Sequence, residues 1–194
     1  MGHMGHMGDF GRIARRARRR TVPIALGGFV LGAVVGVIIT NGDDVLARTL
    51  TIIGFGLSFG GLSGAASLLP TTFKLGPSIQ SPARGLDRAE RRALRRTVFS
   101  ARPLGEPGSE LARRAADWAR GASLSLPIVL GQFLLLYAGI AGPQLPSLVR
   151  DDPWSAGIAR GLVFLLAAMS IGITIVFRRQ IRGARRYLEA VGNR

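Results

Sequence analysis

Apolar and basic stretches alternate along the chain on a scale of about 20 residues, the length a helix needs to cross the hydrocarbon core of a bilayer. Four apolar runs stand out: Val22 to Thr40, Leu50 to Leu69, Leu124 to Ala141 and Gly161 to Phe177. None contains an Asp, Glu, Lys, Arg or His. A helix at the surface of a soluble domain keeps a polar face, and these runs have none, so they predict transmembrane helices. The third is the shortest and ends at Gly142-Pro143. The first exceeds the roughly 7–15 apolar residues of a signal-peptide core and no Ala-x-Ala site follows it, so it reads as an uncleaved anchor.

The polar stretches orient these spans. The N-terminal stretch carries Arg12, Arg15, Arg16, Arg18, Arg19 and Arg20 against Asp9, the central stretch holds Lys74 and a series of arginines, and the tail adds Arg178, Arg179, Arg182, Arg185, Arg186 and Arg194. The two short connections carry Asp43, Asp44, Asp151 and Asp152 with few basic residues. The positive-inside rule then places both termini and the central stretch in the cytoplasm and the acidic connections outside. The predicted organisation is a basic cytoplasmic N-terminus (1–21), a first transmembrane hairpin (22–70), an Arg-rich cytoplasmic segment (71–123), a second hairpin (124–177) and a basic cytoplasmic tail (178–194). The fold class is therefore all-α: a polytopic protein of the cell membrane, with four transmembrane helices as two tandem hairpins joined by a helical central segment.

Composition changes this picture little. The chain has 194 residues, 47% of them hydrophobic, with a net charge of +15 and a mean hydropathy of +0.29. So basic a balance raises nucleic acid as a partner, but the charge sits beside the spans, where a topology signal accounts for it. The implied partners are membrane lipids, especially an anionic inner leaflet, and a membrane protein or a second copy of the chain. The absence of cysteine excludes disulfides, thiolate nucleophiles and Cys-based metal sites.

An internal repeat runs through the spans. Pro23-Ile24-Ala25-Leu26-Gly27-Gly28-Phe29-Val30-Leu31 aligns with Pro127-Ile128-Val129-Leu130-Gly131-Gln132-Phe133-Leu134-Leu135. Each copy follows a basic stretch and is followed by an acidic pair and then by Ala-Arg, at Ala47-Arg48 and Ala159-Arg160. Duplication of a two-span hairpin, with a pseudo-twofold along the membrane normal, explains the shared order.

In the central segment, Ser81-Pro82 and the Asp87-Arg88-Ala89-Glu90 capping pattern read as helix starts. A basic helix is expected from Asp87 to Ser100, with Leu86, Ala89, Ala93, Leu94 and Val98 toward one side. Pro103 to Gly108 would break it. Ser109 would cap a second helix to about Arg120, with Leu111, Ala115 and Trp118 at helical spacing. The arginines Arg88, Arg91, Arg92, Arg95, Arg96, Arg113 and Arg114 form the expected lipid or partner surface, where each basic residue near anionic lipid contributes about 1 kcal/mol. The helices either lie on the inner leaflet or pack as a hairpin beneath the spans. The run Asp87-Arg88-Ala89-Glu90-Arg91-Arg92-Ala93-Leu94-Arg95-Arg96, the break at Glu106-Pro107 and Glu110-Leu111-Ala112-Arg113-Arg114-Ala115-Ala116 resemble a segment of uncharacterised actinobacterial multi-pass membrane proteins. In those, two hydrophobic spans flank the segment on each side. Thr97 to Arg102 departs from their shorter link, and the resemblance implies no activity.

Candidate chemistry is sparse. Gly28, Gly32 and Gly36, and likewise Gly56, Gly60 and Gly64, recur at spacing four, which puts each set on one helix face and lets backbones approach closely. They predict packing within the first hairpin, with self-association or a pore as further uses of the same faces. Gly157-x3-Gly161 is a weaker version. Gly61-Leu62-Ser63-Gly64 matches the Gly-x-Ser-Gly of rhomboid-type proteases, but a serine nucleophile needs a base, and the histidines are His3 and His6, far off in the N-terminal stretch. Ser58, Ser63 and Ser67 are instead expected to bond to backbone carbonyls. Gln132, with Tyr137, Ser170 and Thr174 as partners, is the expected intramembrane polar contact. A Met1-Gly2-His3 terminus has copper-type donors, and the Asp pairs could hold a cation, but a trimmed Met and simple turn roles explain both. No catalytic residue, cofactor or metal is assigned. The expectation is a non-enzymatic structural or accessory protein packed through glycine-lined helices. The alternatives are an oligomeric permeation protein for small solutes or ions, and a membrane-tethered binder of polyanions.

Overall fold

The computed structural model describes residues 5–40, 44–101, 109–149 and 152–192. Among these there is no strand. Five helices account for nearly all of them: α1 (Gly5–Ile39), α2 (Val45–Gln80), α3 (Arg88–Ser100), α4 (Glu110–Ala141) and α5 (Pro153–Gly192). Short 3-10 turns at Ser81–Ala83, Gly142–Gln144 and Pro146–Val149 join them. α1, α2, α4 and α5 are each long and apolar enough to cross a membrane. The chain is thus an all-α polytopic membrane protein.

The helices run well past the apolar stretches that predict them. α2 continues through Pro70 to Gln80, and α5 continues through its arginines to Gly192. The helix expected from Ser109 to Arg120 is not separate. Ser109 does cap it, its hydroxyl accepting from the Ala112 N–H at 3.2 Å, but α4 then runs unbroken into the third span. Gly121-Ala122-Ser123 offers no breaker, and Pro127 stays within the helix. Ser81-Pro82 begins a single 3-10 turn rather than a longer helix. Pro103 to Gly108, Asp43 and Asp151 lie outside the described residues.

Contacts divide the chain into two compact units. The membrane unit comprises Arg15–Leu69 and Leu130–Ile173, and the arginine-rich unit comprises Met1–Ala14, Pro70–Val129 and Thr174–Arg194. In the membrane unit, α2 is the central element: 44% of its most apolar stretch is buried, against 11% for α1 and α4 and 6% for α5. Val30, Ile38, Phe164 and Ile171 are exposed. So much exposed apolar surface is stable only against lipid.

The arginine-rich unit has a core of its own. Leu86, Leu94 and Val98 meet Ala115, Trp118, Ala119 and Ala122 of α4 and Ala184 and Tyr187 of α5, with Phe99, Leu111, Leu126 and Leu188 packed around them. The Phe99 and Trp118 rings meet edge to face, with centroids 5.1 Å apart. α3 begins at a complete capping box: Asp87 accepts from the Glu90 N–H at 2.7 Å, and Glu90 accepts from the Asp87 N–H at 2.9 Å. It ends at Ala101, whose positive φ of 55° closes the helix with N–H bonds back to Thr97 and Val98. Leu94 and Val98 face the core, whereas Ala89 and Ala93, expected on the same side, are exposed. The buried stripe is narrow because two large side chains fill the space that α4 and α5 leave. Replacing Leu94 by Ala should cost about 2–5 kcal/mol, while Ala93→Ser should stay within about 0.5 kcal/mol. Denaturant unfolding in detergent, followed by Trp118 fluorescence in a Trp154→Phe background, distinguishes the two; equal effects would contradict this packing.

Candidate functional site

Two features of the fold carry candidate function: the glycine-lined contacts of α2 and the exposed arginines of α3, α4 and α5. In a bilayer there is no hydrophobic gain from burying one apolar helix against another, so helices associate where their backbones approach closely. α1 and α2 do this along their glycine faces. A methyl group on Gly28 would meet the Phe59 carbonyl oxygen at 2.8 Å and Gly60 Cα at 3.1 Å, and one on Gly32 would meet the Phe55 carbonyl carbon at 2.7 Å. Gly36 lies against Ile52. From the other side, Gly56 receives the Phe29 ring, Gly60 the Ala25 carbonyl oxygen and the Phe29 backbone, and Gly64 the Ala25 methyl. Both sets of glycines are therefore filled within one chain.

Hydroxyl groups supplement these contacts. Ser63 Oγ donates to the Ile24 carbonyl at 3.4 Å across the helices, and Ser67 Oγ donates to Thr21 Oγ1 at 3.1 Å. Both also bond back to their own helix, at the Gly60 and Gly64 carbonyls. For Ser58, the backbone rather than the hydroxyl makes the close approach, its nitrogen lying 2.9 Å from a methyl placed on Gly142.

That contact belongs to a second glycine face that spacing four does not reveal. Gly61 lies against the Leu135 carbonyl oxygen and Gly139, with a methyl on Gly61 reaching Gly139 nitrogen at 2.6 Å, and Gly54 lies against Gly142. α2 thus packs closely on α1 with one side and on α4 with another. The signal was present as Gly54 and Gly61 seven residues apart, a near-integral number of turns. By contrast Gly157, Gly161 and Gly131 have open space where a side chain would stand. Gln132, the expected polar contact, is partly buried on α4, and the Tyr137 ring leans on Phe133 with centroids 6.1 Å apart. Ser170 bonds back to the Leu166 carbonyl at 2.7 Å.

The arginines fall into two groups. Some are held by the fold. Arg114 pairs with Glu110 at 2.6 Å and donates to the Arg84 carbonyl at 3.0 Å, tying α4 to the turn before α3. Arg91 Nε donates to the Leu86 carbonyl at 2.8 Å, and Arg120 pairs with Asp117 at 3.0 Å. The others project into solvent: Arg88, Arg92, Arg95 and Arg96 on α3, Arg113 on α4, and Arg178, Arg179, Arg182, Arg185 and Arg186 on α5 are all exposed. Positions 88, 91, 92, 95 and 96 form one stripe of α3, as do 178, 182, 185 and 186 of α5. Asp87, Glu90, Glu110 and Asp117 are committed to the capping box and local ion pairs, which leaves Glu189 as an exposed carboxylate among the arginines of α5. The surface of the unit is consequently cationic. Among the described residues no cluster of His, Asp or Glu could hold a metal ion.

No protein-family model matches the chain, and neither a curated protein nor a solved structure matches it.

The two kinds of glycine respond differently to substitution. Gly32→Ala drives a methyl into the Phe55 backbone and should destabilise the α1–α2 contact by about 1–3 kcal/mol. Gly27→Ala meets nothing within 4 Å, and Ala favours a helix over Gly by about 1 kcal/mol, so stability should hold or rise. The readout is the temperature at which half of the monodisperse protein is lost in mild detergent.

Proposed function

We propose that this is a non-enzymatic, multi-pass membrane protein of structural or accessory type, which uses a lipid-embedded helix bundle to present an arginine-faced helical domain to a partner. The observation that carries the reading is the pairing of the two units. Inside the membrane unit the close contacts of α2 with α1 and α4 are made by glycines, backbone and apolar side chains. In the arginine-rich unit the apolar residues are drawn inward and the uncompensated charge is left outside. That division suits a rigid anchor and a recognition surface. Because the Gly28, Gly32, Gly36, Gly56, Gly60 and Gly64 faces are filled within one chain, a pore or dimer built on them would have to dismantle the hairpin, which weighs against the permeation reading. Association instead falls to the exposed faces: the apolar side of α5 within lipid and the arginines outside it.

The positive-inside rule supports an orientation in which the arginine-rich unit and both termini are cytoplasmic. Tandem duplication of a hairpin fits the shared Pro-Ile-x-Leu-Gly entry, with Pro23 inside α1 and Pro127 inside α4.

Two experiments test the proposal. Purification in mild detergent should return the chain with a stoichiometric membrane-protein partner, whereas a lone monomer, or flux in proteoliposomes that disappears on Gly60→Leu, would overturn the accessory reading. Because the described chain has no cysteine, single cysteines report topology directly. Asp44→Cys should react with an impermeant maleimide in intact cells, and Ser100→Cys only after permeabilisation; the reverse pattern would invert the assigned orientation.

A further inference from the structure

Two compact units joined by continuous helices move as one body only if those helices are stiff where they pass from one unit to the other. α1 passes between Ala14 and Arg15, α2 between Leu69 and Pro70, α4 between Val129 and Leu130, and α5 between Ile173 and Thr174. Stiffness in an α-helix comes from the unbroken ladder of N–H bonds to the carbonyl four residues back. Proline has no N–H and its ring crowds that carbonyl, so a proline inside a helix removes a rung and lets the axis bend. Pro70 stands at the α2 passage itself, and Pro127 stands within one turn of the α4 passage. They deprive the Ala66 and Ser123 carbonyls of the N–H that a helix supplies. Within one turn of the α5 passage stands Gly172, the residue type with the loosest backbone. A methyl there would meet nothing within 4 Å, so close packing does not account for this glycine as it does for those of α2.

Each of these points is preceded by a hydroxyl turned back on its own helix. Ser67 Oγ donates to the Gly64 carbonyl, Ser125 Oγ to the Gly121 carbonyl and Ser170 Oγ to the Leu166 carbonyl, each at 2.7 Å. Such bonds compete with the backbone ladder for the same carbonyl and bend helices. α1 carries the same combination: Thr21 donates to the Ala17 carbonyl at 3.0 Å, just before Pro23. This point lies past the α1 passage, within the membrane unit. Ser67 Oγ nevertheless donates to Thr21 Oγ1 at 3.1 Å, which sets the weak point of α1 directly beside that of α2. Among the described residues, the other prolines in α-helices are Pro77, in the last turn of α2, and Pro153, which opens α5. Every proline in a helix interior therefore belongs to one of these points.

From this recurrence we infer that Thr21 with Pro23, Ser67 with Pro70, Ser125 with Pro127 and Ser170 with Gly172 are matched hinges, through which the arginine-rich unit swings as a body on the membrane unit. The bending is confined to the hinges. On one side of them Leu94, Val98, Ala119 and Tyr187 are enclosed in a single core, and on the other α1 and α2 are locked along their glycines. A swing of this kind redirects the arginine-bearing faces of α3 and α5 together and leaves their mutual arrangement fixed. The inference rests on the division into two units and not on the accessory function, so either can fail without the other.

The test measures distances between paired spin labels by double electron–electron resonance, on the full chain in lipid nanodiscs, where the absence of native cysteine allows labels to be placed at will. One pair, Leu46→Cys with Ser100→Cys, spans the units. The other, Arg88→Cys with Arg185→Cys, lies within the arginine-rich unit, and all four positions are exposed. In the otherwise native chain the spanning pair should give a broader distance distribution than the inner pair. Pro70→Ala with Pro127→Ala restores both rungs and should narrow the spanning distribution to the width of the inner one, which stays unchanged. Gly172→Ala should narrow it part of the way, and Pro153→Ala should leave it as it was. A broadened inner pair would reveal misfolding of the double proline variant, and Gly172→Ala, whose methyl has open space, then decides the matter. A spanning distribution as narrow as the inner one in the native chain would show that neighbouring helices fix the bends and would overturn the hinge. So would a broad distribution that neither the proline nor the glycine substitutions narrow, or one that Pro153→Ala narrows equally.

Discussion

Close backbone contact along α2 is the constraint on which the membrane unit depends. Apolar side chains gain nothing by leaving lipid for one another, so a helix bundle in a bilayer is held by how near its backbones can come. α2 meets this requirement on two sides at once. Its Gly56, Gly60 and Gly64 accept α1, and its Gly54 and Gly61 accept α4 at Gly139 and Gly142. α1 and α4 are placed by contact with α2, while Val30 and Ile38 of α1, Ile53 of α2 and Ile140 of α4 are left exposed. Within this arrangement the glycines do not lend flexibility. They remove the side chains that would hold the helices apart.

The arginine-rich unit obeys the opposite rule. Outside the bilayer, water makes burial of apolar surface favourable, and the unit folds around Leu94, Val98, Trp118 and Tyr187 in the manner of a small soluble bundle. Glycine admits a close approach there too, at Gly183, where α3 presses its Phe99 carbonyl against α5. α4 contributes residues to both units, so one continuous helix is packed by backbone proximity at Gly139 and by side-chain burial around Trp118.

Much of this was legible in the sequence. Uncharged apolar runs announce four spans because the bilayer tolerates little else. Spacing four announces the α1–α2 face because it returns to the same side of a helix, and Asp87-x-x-Glu90 announces the start of α3 through its own hydrogen bonds. The remainder depends on tertiary contact. Nothing local requires α4 to stop at Arg120 or to continue past it, since Gly121 and Pro127 are both accommodated within the helix. The second face of α2 uses glycines seven apart whose partners, Gly139 and Gly142, lie far along the chain. The arginines are alike in sequence, and only the tertiary positions of groups such as the Arg84 and Leu86 carbonyls separate those bound by the fold from those facing solvent.

The order in which the core of the arginine-rich unit is completed has a consequence for synthesis. Ala184 and Tyr187 come from the last stretch of the chain, whereas α3 and the start of α4 emerge much earlier. A chain that ends before Ala184 contains all four apolar runs, yet it lacks the Ala184 and Tyr187 side of the core around Leu94, Val98 and Trp118. Exposed apolar surface of this kind is what chaperones and proteases engage. The last turns of α5 are therefore as much a part of the fold of α3 and α4 as of α5 itself.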